Sequence, residues 1–243
     1  MQFRETLLLI SVSLFCLPTL ASSPLTTVIG ENMSAPWYFA DSGTSPKGIT
    51  ADYVRALANE LGRKIDILVL PKFRIREYSQ KNKIDLNCYT SREWAQVREA
   101  DVFWSEPLFT SKNLIVSNTA AVKSLDQLKK QRIGTVLKYR YPALQDSFSA
   151  GTFLRDDSPN EDANLQKLDA SRFNYAVVEE IHLAYYLKRH KSSKIQRRGL
   201  VIEEIPVRCW LRRDSPLKIS ELNRAIAQMK TNGTMEKIFK KYR

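Results

Sequence analysis

Histidine, cysteine and glycine are scarce in this chain. Its 243 residues hold 2 histidines, 3 cysteines and 8 glycines. The histidines, His182 and His190, fall two turns apart on one expected helix and read as surface residues of that helix. Three cysteines are too few for a disulfide-stapled miniprotein or a four-thiolate zinc site. No Gly-x-Ser-x-Gly elbow, His-Glu-x-x-His pair, P-loop or paired-cysteine motif occurs, so nucleophilic, metal-assisted and nucleotide chemistry lack sequence support. Eight glycines with ten prolines exclude collagen-like and low-complexity architectures. No catalytic residue, metal site or organic cofactor is therefore expected.

The remainder is a globular composition: 43% hydrophobic and 26% charged, enough for one large domain or for two lobes of about 110 residues each. Lysine plus arginine outnumber acidic residues 38 to 26, a formal charge of +12. The one long apolar run, Leu7 to Leu17, follows Arg4 and precedes Pro18 and Ala21-Ser22-Ser23, which is the pattern of a cleavable export signal over 1–23. The run is shorter than the ~20 residues that span a bilayer. Cys16 follows Phe15 rather than a small residue, which argues against a lipoprotein. No other segment approaches membrane-spanning length, so the mature chain is expected to be soluble and periplasmic.

Export changes how the rest is read. Without 1–23 the cysteines left are Cys88 and Cys209, an even number in an oxidising compartment. The excess positive charge then favours an anionic lipid, an acidic ligand or a transporter surface over nucleic acid. The basic run Lys188-Arg189-His190-Lys191, continuing to Arg197-Arg198, has no aromatic residues interleaved within 187–198 and reads as a solvated helix end and loop.

Periodicity gives two α/β units. A β-branched run at 26–30 is followed by a helix from Thr50, on which Tyr53, Val54, Leu57, Ala58 and Leu61 recur at helical spacing before Gly62. A strand over 64–70, a helix over 74–81 and a strand over 84–88 complete β-α-β-α-β, which predicts a parallel sheet covered by helices. The order then repeats. Ser124 and Gln127 form a capping box, a strand covers 132–136, and Pro142 opens a helix. Strands at 152–156 and 173–178 flank a helix at 160–171, and a further helix covers 180–190. Strand segments at 200–205 and 207–212 precede two terminal helices carrying Leu222 to Met229 and Met235 to Tyr242. No Pro/Ser-rich linker separates the units, which two lobes joined by more than one chain crossing would explain.

At this level the chain resembles extracellular solute-binding protein family 3, the type II periplasmic binding proteins that serve polar amino acids. The resemblance is carried by Ala35-Pro36-Trp37, Lys47-Gly48-Ile49-Thr50-Ala51-Asp52-Tyr53, Lys83-Ile84-Asp85, Phe103-Trp104-Ser105-Glu106-Pro107-Leu108-Phe109 and Ser124-Leu125-Asp126-Gln127-Leu128. Arg132-Ile133-Gly134, the segment from Arg172 to Glu179, Leu222 to Ile226 and Asn232-Gly233-Thr234 extend it over essentially all of 26–243. It implies a two-lobed periplasmic-binding-protein-like II fold, each lobe a mainly parallel sheet flanked by helices. Lobe 1 would be 24–110 plus 206–243 and lobe 2 would be 111–205, closing by a hinge around a ligand in the cleft. The implied function is capture of an amino acid or related carboxylate by a monomer that hands it to an ABC permease. Delivery to a signalling receptor is an alternative, and a cyclohexadienyl-dehydratase-like enzyme on the same fold a more distant one.

The resemblance also proposes a site. Glu179 stands where the family places its ammonium-binding acid, although it also reads as a solvated strand-end charge like Glu180. Arg92, Tyr89 and Thr90 lie on the stretch after the third strand, as donors for a carboxylate or as packing residues. The family's usual carboxylate-binding arginine falls at Val97, so either Arg92 substitutes for it or the ligand is not an ordinary α-amino acid. Trp37 fits an aromatic wall or lobe packing, and Phe73 lies within one position of another family aromatic. Tyr139 and Arg140 precede the helix that Pro142 opens, whose backbone N–H groups would attract an anion. In this family the strands carrying Cys88 and Cys209 are neighbours, which implies a disulfide between them, nominally worth roughly 4 kcal/mol.

Overall fold

The computed structural model describes residues 23–40, 45–95 and 97–242. Apart from Ser23, the expected export signal lies outside the described residues.

The first strand, β1 (Leu25–Gly30), is followed by α1 (Ile49–Leu61), which buries Tyr53, Val54 and Leu57 on one face. The helix stops at Gly62, whose φ of 60° lets its own N–H reach Asn59 O while Arg63 N reaches Ala58 O. Next come β2 (Ile65–Leu70), α2 (Lys72–Gln80), β3 (Leu86–Thr90), β4 (Val102–Trp104) and the long β5 (Phe109–Ser117). β6 (Arg132–Val136), α3 (Gln145–Ser149), β7 (Leu154–Ser158), α4 (Glu161–Asp169), β8 (Tyr175–Glu179) and α5 (Glu180–Arg189) follow. The chain ends with β9 (Leu200–Arg212), α6 (Ile219–Thr231) and α7 (Thr234–Tyr242).

β1 and β2 pair in parallel from Leu25↔Ile65 to Gly30↔Leu70. A second sheet has the order β3-β9-β5-β8-β6-β7, with β4 also on β9. Within it β6 pairs in parallel with β7 and β8, as expected of helix-connected strands. The expectation of mainly parallel sheets needs amending at the crossings. β5 and β9 run antiparallel to each other, and β9 is antiparallel to β3 and β4. The two strand segments expected at 200–205 and 207–212 are one strand. Val207 turns its carbonyl to Leu108 N (2.7 Å), so alternation points position 206 away from β5, and Pro206 forfeits no ladder bond there.

The N-terminal half of β9 pairs with β5 and its C-terminal half with β3 and β4, so these two strands carry the chain between its cores. Among the described residues, one apolar core draws on 25–109 and 207–242, with Ile181 its single contribution from between. Two others, around Leu165 and Ile133, draw only on 114–202. Within the first of these cores, Cys88 of β3 and Cys209 in the C-terminal half of β9 form a disulfide across 121 residues of chain. The helix expected at 74–81 begins instead at Lys72, directly after Pro71, which lacks an N–H and so cannot continue a helix backwards. That two-residue shift decides which side chains of α2 face the site.

Candidate functional site

A cavity of about 230 Å³ lies between the core of the terminal segments and the cores of 114–202. Its walls come from the end of β3, the first face of α2, β5, the loop after β6, the start of α4 and the end of β8. Tyr89, Thr90, Tyr139, Arg140 and Glu179, all expected at a ligand site, line it.

Glu179 is its most constrained polar group. The carboxyl is 4% exposed and caps α5 by accepting His182 N at 3.2 Å. The same oxygen accepts Trp37 Nε1 at 3.0 Å, and Ser111 Oγ donates to the other at 3.3 Å. Burial, and then the neighbouring Glu161 carboxyl, push its pKa up to about 8, against the pull of the Trp37 and His182 donors. Burial also raises Glu161, partly offset by the His182 ring. His182 is fully buried, its ring nitrogens 3.6 Å from Glu161 Oε2 and 3.3 Å from Asp162 Oδ1. This corrects the surface position expected of it. Burial disfavours its charged form, but Glu161, Asp162 and Glu179 together outweigh that and raise its pKa. His190, at the end of the same helix, is partly exposed and stacks on Tyr186.

The end of β3 shows how the wall is shaped. Its pairing with β9 slips between Asn87 and Thr90, and Tyr89 sits at φ 60°, a left-handed conformation that a bulky side chain adopts at a cost of about 1–3 kcal/mol. The kink lays Tyr89 against Trp37, ring centroids 4.2 Å apart, and against Phe109 at 6.1 Å. Of its two expected roles Trp37 takes the packing one: it lies in the first core and donates to Glu179, without itself lining the cavity.

Arg92 and Phe73 do not line it. The turn at 92–94 directs Arg92 outward, where it pairs with Glu99 at 2.7 Å and lies over Trp104, so the expected carboxylate grip at this position is not formed. Trp94, Ala95 and Val97 present an apolar wall instead. Phe73 is 67% exposed because α2 begins at Lys72, which turns Lys72, Ile75, Arg76 and Ser79 inward at helical spacing and residue 73 out. The helix start beyond Pro142 is also engaged differently from expectation. Buried Glu203 accepts Ala143 N at 2.6 Å and Asn113 Nδ2 at 2.9 Å, so that backbone donor already has an anion.

Reading the sequence missed Lys72, Arg76, Ser111, Asn113, Tyr141 and Glu161. The spacing of 72, 75, 76 and 79 was an available signal once the helix start is set by Pro71. Nothing local marks Glu161, an acid in a helix's first turn, as facing a cavity. Contacts across the cavity hold its sides together: Lys72 Nζ donates to Lys138 O at 2.9 Å and sits 4.6 Å over the Tyr139 ring, and Asp162 N donates to Ser34 Oγ at 3.3 Å.

A cavity between the core of the terminal segments and the cores of 114–202, which the chain joins through β5 and β9, with a buried acid on its wall and cations at its mouth, is the arrangement of a two-lobed solute-binding protein. The sequence profile of the bacterial extracellular solute-binding proteins, family 3, matches residues 26–243, and the chain belongs to that family. An arginine-binding extracellular protein of Bacillus subtilis (strain 168) is 25% identical over 207 residues, which is 82% of this chain and 79% of that protein. The structure of an ancestral arginine-binding protein bound to arginine superposes with a TM-score of 0.73 at 22% identity, covering 91% of this chain and 99% of the other. The GluR0 ligand-binding core with L-glutamate gives a TM-score of 0.75 at 16% identity, over 91% and 99% of the two chains. At these identities the two structures establish the shared type II periplasmic-binding fold. The family and the relative's name are those of binding proteins located outside the cytoplasm.

Proposed function

We propose that this protein is an exported carrier that captures an amino acid between two lobes and delivers it to an ABC permease. The lobes would be 24–110 with 206–243, and 111–205, with β5 and β9 as the hinge. The observation that carries the reading is Glu179: a buried carboxyl, reached by Trp37 from one core and capping a helix of another, facing a cavity of amino-acid size. Burying a carboxyl without a cationic partner is costly. A ligand ammonium supplies that partner, beside the bond that Trp37 already makes to Glu179.

The named similarity of the relative to arginine binding supports an amino-acid ligand, and membership of an extracellular family supports export through the 1–23 segment to the periplasm. The protein acts as a monomer and a binder, with no reaction assigned to Glu179. Isothermal titration of ligand-stripped protein with the common amino acids tests this. One or more should bind at one per chain, and Glu179→Gln should weaken that binding about 100-fold. Absence of any amino-acid binding by the folded wild-type protein would refute the reading.

A further inference from the structure

The charged groups facing the cavity are the cations Lys72, Arg76 and Arg140 and the acids Glu161 and Glu179. Glu161 already faces the buried His182 ring, and Glu179 is the group that a ligand ammonium would engage. The three cations are not answered in the same way. Lys72 meets only the Lys138 carbonyl and the Tyr139 ring, and among the described residues neither Arg76 nor Arg140 has an ion-pair or hydrogen-bond partner. Lys72 and Arg76 belong to α2, whereas Arg140 follows β6, so the cations reach the mouth from both sides of the cleft.

We infer that this site selects net-anionic amino acids, one ammonium with two carboxylates, holding the ammonium at Glu179 and the carboxylates among Lys72, Arg76 and Arg140. This rests on the amino-acid reading above. Three features favour it over a cationic or neutral ligand. After Glu179 is answered by the ammonium, His182 is shared between Glu161 and Asp162, so the three cations exceed the remaining acid by two, and a second carboxylate on the ligand reduces that excess. The Lys72 pKa is lowered chiefly by burial and secondarily by Lys138 and Arg155, and it is the like charge of these two neighbours that an anion relieves. The wall formed by Trp94, Ala95 and Val97 offers no cation, so carboxylates are left to the mouth. Clamping them there from both sides would also favour the closed arrangement, since opening separates Arg140 from α2.

The test is titration calorimetry of ligand-stripped protein with L-glutamate, L-aspartate, L-glutamine and L-arginine at two salt concentrations. The acidic amino acids should bind at least about tenfold tighter than glutamine, with arginine weakest, and their affinity should fall with added salt because the mouth is solvent-exposed. Lys72→Gln and Arg140→Gln should each weaken L-glutamate about tenfold and flatten its salt dependence, and Lys72→Arg should restore most of the loss. Tighter binding of arginine or glutamine, abolished by Glu179→Gln, would overturn the charge assignment while leaving amino-acid capture standing. Tight glutamate binding untouched by either cation variant would overturn the assignment of these residues. Failure of all four to bind would overturn this inference, whereas amino-acid capture would fall only if none of the other common amino acids bound either.

Discussion

Because the unliganded protein holds Glu179 at a pKa of about 8, affinity should depend on pH in a direction opposite to stability. At pH 7 about nine-tenths of the unliganded molecules then carry a neutral carboxyl, and ionising it for a ligand ammonium costs about 1.4 kcal/mol. Affinity should therefore rise about tenfold from pH 6 to pH 7, rise further to pH 8 and level off beyond, with close to one proton released per ligand bound at pH 7. The stability of the empty protein runs the other way. Glu179 keeps, when folded, a proton that the unfolded chain releases near the ordinary value of 4.5, so its contribution declines as pH rises from 4.5 to 8. Glu161, also raised, acts in the same sense. The raised His182 contributes stability below 6.5 that is lost as pH climbs through its folded pKa. Calorimetry from pH 6 to 8.5 in buffers of different ionisation enthalpy reads both Kd and the proton count. A flat Kd with no proton release, or a slope that survives in Glu179→Gln, would show that no buried carboxyl is being ionised by the ligand.

Other consequences can be checked directly. Replacing Cys88 and Cys209 by serine removes a cross-link over 121 residues, which should cost about 4–5 kcal/mol and lower Tm by about 10 °C. Thiol labelling of the unreduced protein should find neither residue reactive, and two free thiols would refute the bond. Arg92→Ala breaks an exposed pair outside the cavity, so ligand affinity should be unchanged and stability should move by less than about 1 kcal/mol. Tenfold weaker binding in that variant would return Arg92 to the site.

Much of this molecule was readable from local order. The 3.6-residue recurrence from Tyr53 to Leu61 and the glycine at 62 specify α1, because a helix buries one face and stops where a left-handed residue is cheap. The resemblance to the family added the cysteine pair, the acid at Glu179 and the residues Tyr89, Thr90, Tyr139 and Arg140, the last five at strand or helix ends where chains of this family meet a cleft. The direction of side chains was less visible. Arg92 and Lys72 are both cations after a strand, and only the outward turn at 92–94 and the helix start fixed by Pro71 tell them apart.

What local sequence could dictate here was the succession of helices and strands, because propensity, periodicity and capping act over a few neighbours. Which charges confront one another depended on β5 and β9 running antiparallel between the cores. That places Trp37 beside Glu179 across 142 residues of chain and encloses His182 between carboxyls that no short-range rule connects to it. Proton affinities follow from that enclosure, since desolvation and Coulomb terms depend on distance in space rather than separation along the chain.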